Sequence, residues 1–188
     1  MKEKDIDFIV SVYWPWLINH IYLAATKDSL NFHLALLPKN RRWYPHVHNL
    51  INNTPTGVTL HGMSSVADAG DIWGQKVTFV NDTVNAKDLY ERLKIDIYIL
   101  FSEIWPKILQ GLVVPFKQDG KQSTYNKKSA LDEIDKLDLN QTMSIKSIID
   151  LLRARTFGQK PFAYFIQNGK KIYVSISLQS EDTMETNI

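Results

Sequence analysis

The sequence predicts an α+β protein: an N-terminal antiparallel sheet packed on a long central helix, followed by a small helix–helix–β-hairpin module in a winged-helix-like order. Three observations carry this expectation. Between Asn85 and Leu112 the residues Leu89, Leu93, Ile97, Leu100, Ile104 and Ile108 recur at helical spacing and line one face. Short runs of β-branched and aromatic residues precede that stretch. Beyond it, Asn168-Gly169 sits between two alternating apolar runs, the turn chemistry of a type I′ hairpin.

In chain order, Ile6 to Trp14 reads as a strand that stops at Pro15. Leu17 to Leu37 fits either a helix begun near Pro15 or a hairpin of HIYLAA and LNFHLALL around TKDS. The hairpin is favoured, because polar Asn31 and His33 alternate with apolar Leu30, Phe32 and Leu34. Pro38 to Ala69 is rich in turn signals and reads as a long loop with room for a short strand at Gly57 to Leu60. Trp73 to Val80 is the next strand, and Asp82, Thr83 and Asn85 are cap candidates for the central helix.

Ile95, Tyr98, Ile99 and Phe101 add a second apolar side to that helix, which predicts burial over most of its surface. Pro106 predicts a kink or break. Phe116 to Tyr125 is polar, aperiodic and linker-like. Short helices are expected at Ser129 to Leu137 and Ser144 to Arg153, the second capped by Ser144 with Ile145, Ile148, Ile149 and Leu152 inward. The expected organisation is thus a core over 1–114, a helix–helix–hairpin module over 115–180, and a disordered tail over 181–188.

An apolar fraction of 44% with five tryptophans supports a real core, and a net charge of +2 argues against a whole-protein field for polyanions. Cysteine is absent, so disulfides and thiolate chemistry are excluded, and a reducing, cytoplasmic setting fits. No leader pattern stands out. Ile6 to Ala25 has the length of a membrane span, but Asp7, Pro15, Asn19 and His20 oppose insertion, so none is expected.

Two functional readings follow. From Pro115 to Leu178 there are eleven Lys or Arg against six Asp or Glu, a local positive excess. Lys146, Arg153 and Arg155 flank the last helix and Lys160, Lys170 and Lys171 decorate the hairpin, so they become candidate contacts to nucleic acid or an acidic protein surface. On this leading reading the protein binds without catalysis and needs no cofactor. The competing reading takes His46, His48 and His61 with Asp68 and Asp71 as ligands for zinc or another divalent ion in a hydrolase, possibly a nuclease, because an H-x-H pair in a strand aims both rings one way. Trp14, Trp16, Trp43 and Tyr44, near Arg41 and Arg42, are aromatic enough for a sugar- or base-binding surface, although such density more often marks core. No Walker A loop, G-x-G-x-x-G or G-x-S-x-G is present. The residues set no oligomeric state.

Overall fold

The structure is a computed structural model that describes residues 6–16 and 18–181. Met1–Asp5, Leu17 and residues 182–188, which hold nearly all of the expected tail, lie outside the described residues. In chain order the elements are β1 (Phe8–Val12), α1 (His20–Ala24), β2 (Asp28–His33), β3 (Arg41–Arg42), α2 (Pro45–Asn52), β4 (Gly57–Gly62), β5 (Ile72–Val77) and α3 (Ala86–Leu109). They continue with β6 (Tyr125–Asn126), α4 (Ala130–Asp135), α5 (Ile145–Ala154), β7 (Thr156–Phe157), β8 (Lys160–Pro161), β9 (Tyr164–Gln167) and β10 (Lys170–Tyr173).

The α+β class holds, but the main sheet is mixed rather than antiparallel. Its order is β1-β2-β4-β5; β1 and β2 run parallel, and the other two pairs are antiparallel. Parallel neighbours need a crossover rather than a tight turn. The segment between β1 and β2 therefore holds α1, whose Asn19 cap accepts from the Ile21 amide, in place of the expected hairpin. LNFHLALL stays in the sheet only as far as His33. The supposed loop at Pro38 to Ala69 contains both α2 and β4.

Helix α3 is the scaffold. Leu89, Leu93, Ile97, Leu100, Ile104 and Ile108 are all buried, and they pack in one cluster with Leu30, Phe32, Val58 and Leu60 of the sheet. Asn85 and Asp88 form a reciprocal capping box at its start. The second apolar side is only partly covered: Phe101 is half-buried against Phe32, but Ile95 is 60% and Tyr98 72% exposed, because the sheet lies against one face only. The helix passes Pro106 and ends at Leu109, before Gly111 at φ 69°. Among the described residues no helix is long and apolar enough to cross a membrane.

The C-terminal part keeps the expected order without becoming a winged helix. Asn168 and Gly169 both have positive φ, as a type I′ turn requires, but the hairpin of β9 and β10 joins the rest through a parallel bridge from Tyr164 to Lys136, and every residue of β10 is exposed. Ser144 caps α5 as expected. Its inward face is different, however: Asp150, Arg153 and Ala154 are buried, while Ile145 and Ile148 face outward. Phe116 to Tyr125 is pinned rather than free. Phe116 exchanges backbone hydrogen bonds with Ile72, and Tyr125 pairs with Arg41 in a parallel β3–β6 bridge.

Candidate functional site

Strand alternation builds the site. On β2, Leu30 and Phe32 point into the core against α3, so Asn31 and His33 point to the opposite face. Asn31 lies directly across from His61 on β4, which places both side chains on that same face. The loop after β4 then carries Asp68 over the pair. Gly70 makes this approach possible, since a Cβ there would sit 1.8 Å from the Gly62 carbonyl oxygen.

The hydrogen bonds assign the protons. The Nε2 of His33 lies 2.8 Å from the Asn40 carbonyl, which can only accept, so Nε2 carries the hydrogen and Nδ1 is the basic nitrogen. The Nδ1 of His61 lies 2.8 Å from the Gly62 carbonyl, so His61 is basic at Nε2 and accepts from Asn31 Nδ2 at 3.2 Å. The second Nδ2 hydrogen of Asn31 is left for a ligand. Asp68 Oδ1 is 3.7 Å from His33 Nδ1 and 3.5 Å from His61 Nε2. Two lone pairs and a carboxylate thus converge on one place with no hydrogen among them, an arrangement that gains from taking up a proton.

Burial holds the His33 imidazole below its ordinary pKa, although Asp68 and the Asn40 carbonyl work the other way, so it rests in the basic form. For Asp68, burial would raise the carboxyl. Once the two imidazoles are protonated at acid pH, the hydrogen bond from His61, the charge of His33 and the Arg42 amide at 2.7 Å outweigh it and bring the pKa down to about 2.

Backbone strain gathers here as well. Of seven non-glycine residues with positive φ among those described, Tyr13, Asn40, Arg42, Tyr44 and Asp68 line the site or hydrogen-bond to it. Left-handed conformations in such residues cost roughly 1 kcal/mol or more each and persist where the surroundings impose them, often at sites that do chemistry. Asn31, His33, His61 and Asp68 open onto a cavity of about 1640 Å³. Trp14, Trp16, Trp43 and Tyr44 also line it, so these aromatics are wall rather than core.

The expected metal set does not assemble. His46 and His48 lie on α2, not on a strand, and residues two apart on a helix diverge by about 200°. The His46 ring packs on Tyr90, His61 is committed to Asn31, and Asp71 is exposed. Among the described residues no group of three or more His, Cys, Asp or Glu can hold a metal ion.

The six candidate cations are scattered. Lys146 pairs with Asp150 one helical turn on. Arg153 is buried, bonds the carbonyls of Asn81 and Asp82, and also pairs with Asp150. Arg155 is buried against Asp135. Lys160 lies over the Phe162 ring at the cavity wall, Lys171 over Tyr164, and Lys170 is exposed on the hairpin.

His46 gives a stability prediction. Burial, then the charges of Arg155 and His48, lower its pKa to about 4. Between pH 6.5 and 4 the unfolded chain binds a proton at this residue that the folded chain does not, so stability falls as pH falls through that window. The loss is about 3 kcal/mol, and His46→Gln should flatten the pH dependence of urea unfolding over the same range.

The comparisons with known proteins agree with one another. Residues 1–103 match the family model described as formyl transferase, and residues 130–180 match the N-formyltransferase dimerization C-terminal domain. A methionyl-tRNA formyltransferase of Lactobacillus johnsonii is 31% identical over 93% of this chain and 54% of its own length. The chain therefore spans about half of that relative. The crystal structure of a 4-N formyltransferase from Francisella tularensis superposes with a TM-score of 0.86 at 29% identity, over 93% of this chain and 72% of that one. A formyltransferase from Anoxybacillus kamchatkensis, solved in complex with UDP-4,6-dideoxy-4-formamido-L-AltNAc and tetrahydrofolate, matches at 28% identity with a TM-score of 0.64, over 71% of this chain and 72% of that one.

Proposed function

The chain belongs to the formyl transferase family, and from that premise we propose that it transfers a formyl group from a formyl-tetrahydrofolate to the amino group of a nucleotide-linked amino sugar. Membership overturns both earlier readings. The non-enzymatic binding protein and the metal-dependent hydrolase give way to an enzyme family, and the expected docking of the basic module on nucleic acid or an acidic protein surface is withdrawn with them. The basic surface misled because five of the six cations are spent on ion pairs, buried hydrogen bonds or rings of this chain.

The observation that carries the proposal is the convergence of His33 Nδ1, His61 Nε2 and Asp68 Oδ1 beside the free amide hydrogen of Asn31. Formyl transfer to an amine needs two services that such a set supplies. An amine that attacks a carbonyl must lose a proton, and the carbonyl oxygen gains negative charge as it does. His33 takes the proton at Nδ1, and Asp68 stabilises the imidazolium so formed. Asn31 donates to the formyl oxygen, its carboxamide held in place by His61. His33 then returns the proton to the departing folate nitrogen, so protons balance over the cycle. A formyl-tetrahydrofolate supplies the activated acyl group.

The amino-sugar acceptor is supported by two solved neighbours, the 4-N formyltransferase from Francisella tularensis and the Anoxybacillus enzyme, whose complex holds a formamido sugar nucleotide. The aromatic wall suits flat rings such as a pterin or a base. The two family matches fall on either side of the division after residue 114, and the description of the second supports contact with another copy of this chain through 130–180.

Binding is testable through the tryptophans. Folinic acid is expected to quench the fluorescence of the chain saturably, because Trp14, Trp16 and Trp43 line the cavity. A Trp43→Phe variant should lose part of that signal. Emission that stays flat up to millimolar folinic acid would count against the folate assignment.

A further inference from the structure

We infer that Gln118 is a positioning residue for Asp68, acting through the backbone of the loop that carries the carboxylate. The inference rests on Asp68 being the partner of His33 in the proposed reaction. The Gln118 carboxamide is saturated: Nε2 donates to the carbonyls of Asp68 at 2.9 Å and Gly70 at 2.6 Å, and Oε1 accepts from Arg41 Nε at 3.2 Å and Nη2 at 2.7 Å.

Arg41 is only 4% exposed, and among the described residues no carboxylate pairs with it; its Nη1 donates to the Tyr125 hydroxyl. A buried guanidinium bonded to a neutral amide polarises it and strengthens the hydrogen bonds donated from its other end. Those bonds land on the carbonyl of the residue held at φ 56° and on a residue two positions further on.

The grip is anchored at both ends. The antiparallel bridge between Phe116 and Ile72 fixes the segment that carries Gln118, and Arg42, next to Arg41, donates its amide to Asp68 Oδ2. Asp68 is thus clamped from the side chain by β3 and from the backbone by Gln118. If the backbone clamp is released, the left-handed residue relaxes and its carboxylate leaves His33. The charged or titrating groups that face His33 are Asp68, His61 and Arg41, and of these only Asp68 favours its protonation.

The test replaces Gln118 with methionine, which has similar volume and no charge, and follows the imidazole proton of His33 by NMR titration without substrate. Gln118→Met is expected to lower the His33 midpoint by about 1 to 3 pH units, the scale of a lost neighbouring charge. Asp68→Asn should do the same, and the double variant should go no lower. His46 on α2 serves as reference and should not move. An unchanged His33 midpoint, an additive double variant, or an equal shift at His46 overturns the inference.

Should the methionine variant not fold, Gln118→Glu keeps an acceptor for Arg41, whose charge balances the carboxylate it adds, and removes the two donated hydrogens. The Arg42 amide, protected by Asp68, should then exchange faster while the amides of α3 do not, and unchanged exchange at Arg42 sinks the idea. Neither readout needs turnover, so a failure of the formyl-transfer reading is distinguishable from a failure of this one.

Discussion

His33→Ala is expected to lower the turnover number for formyl transfer by about 10²- to 10⁴-fold, the usual worth of a positioned general base, with little change in KM. The substitution removes the basic nitrogen that faces Asp68 and the cavity without already accepting from Asn31, as His61 Nε2 does, and leaves the aromatic wall in place. The pH profile should separate this from simple misfolding. Burial, the largest influence on His33, keeps its pKa below the ordinary imidazole value, so wild-type kcat/KM should rise with pH through a midpoint below 6.5 and then level off. In His33→Ala that limb should vanish. A variant that keeps the limb and loses only affinity would show that another group takes the proton.

Asp68→Asn is the second large effect, and it should act on rate and stability together. The asparagine amide can donate to the basic nitrogens of His33 and His61, so it occupies the base that the carboxylate supports. Loss of an opposite charge at this distance lowers the basicity of His33 by about 1 to 3 units, which corresponds to turnover roughly 10- to 1000-fold lower. For stability, the folded pKa of Asp68, about 2, lies below its ordinary value of 3.8. A depressed carboxyl contributes stability above the unfolded pKa and loses it as pH falls through the folded one. Asp68→Asn should therefore cost about 2 kcal/mol at neutral pH, with the gap to wild type closing between about pH 4 and 2. Equal denaturation midpoints for the two proteins at pH 7 would contradict this.

What could be read from the sequence was local. The six inward residues of α3, the Asn85 and Ser144 caps and the Asn168-Gly169 turn depend on neighbours in the chain, and all appear as expected. Pairing between distant segments was not legible. Nothing in residues 6–37 says that β1 and β2 run parallel, since that depends on a crossover whose ends meet only in the sheet. Helix α5 failed for a related reason. Its isoleucines look inward by periodicity, but the buried ion pair of Asp150 and Arg153, tied to the carbonyls before α3, takes the inner face instead.

The site was half visible. His61 and Asp68 stand out in the sequence as polar groups in a supposed loop and suggest a metal site with the H-x-H pair, but that pair lies on a helix and not on a strand. Asn31 and His33 were noticed only as the polar half of an alternating pattern. That alternation is the signal: a hydrogen-bond donor and a proton acceptor, on the face of a strand turned away from the core. Gln118 carried no local signal, since its partners lie some fifty and eighty residues away in the chain.

The most direct measurement is a single-turnover assay with the chain, a formyl-tetrahydrofolate and a nucleoside-diphosphate 4-amino sugar, the acceptor being followed by mass spectrometry. The account predicts a sugar that has gained one formyl group with wild type, and none on the same timescale with His33→Ala. Formylation at equal rates by the two proteins, or tetrahydrofolate released by wild type while the sugar stays unmodified, would contradict it.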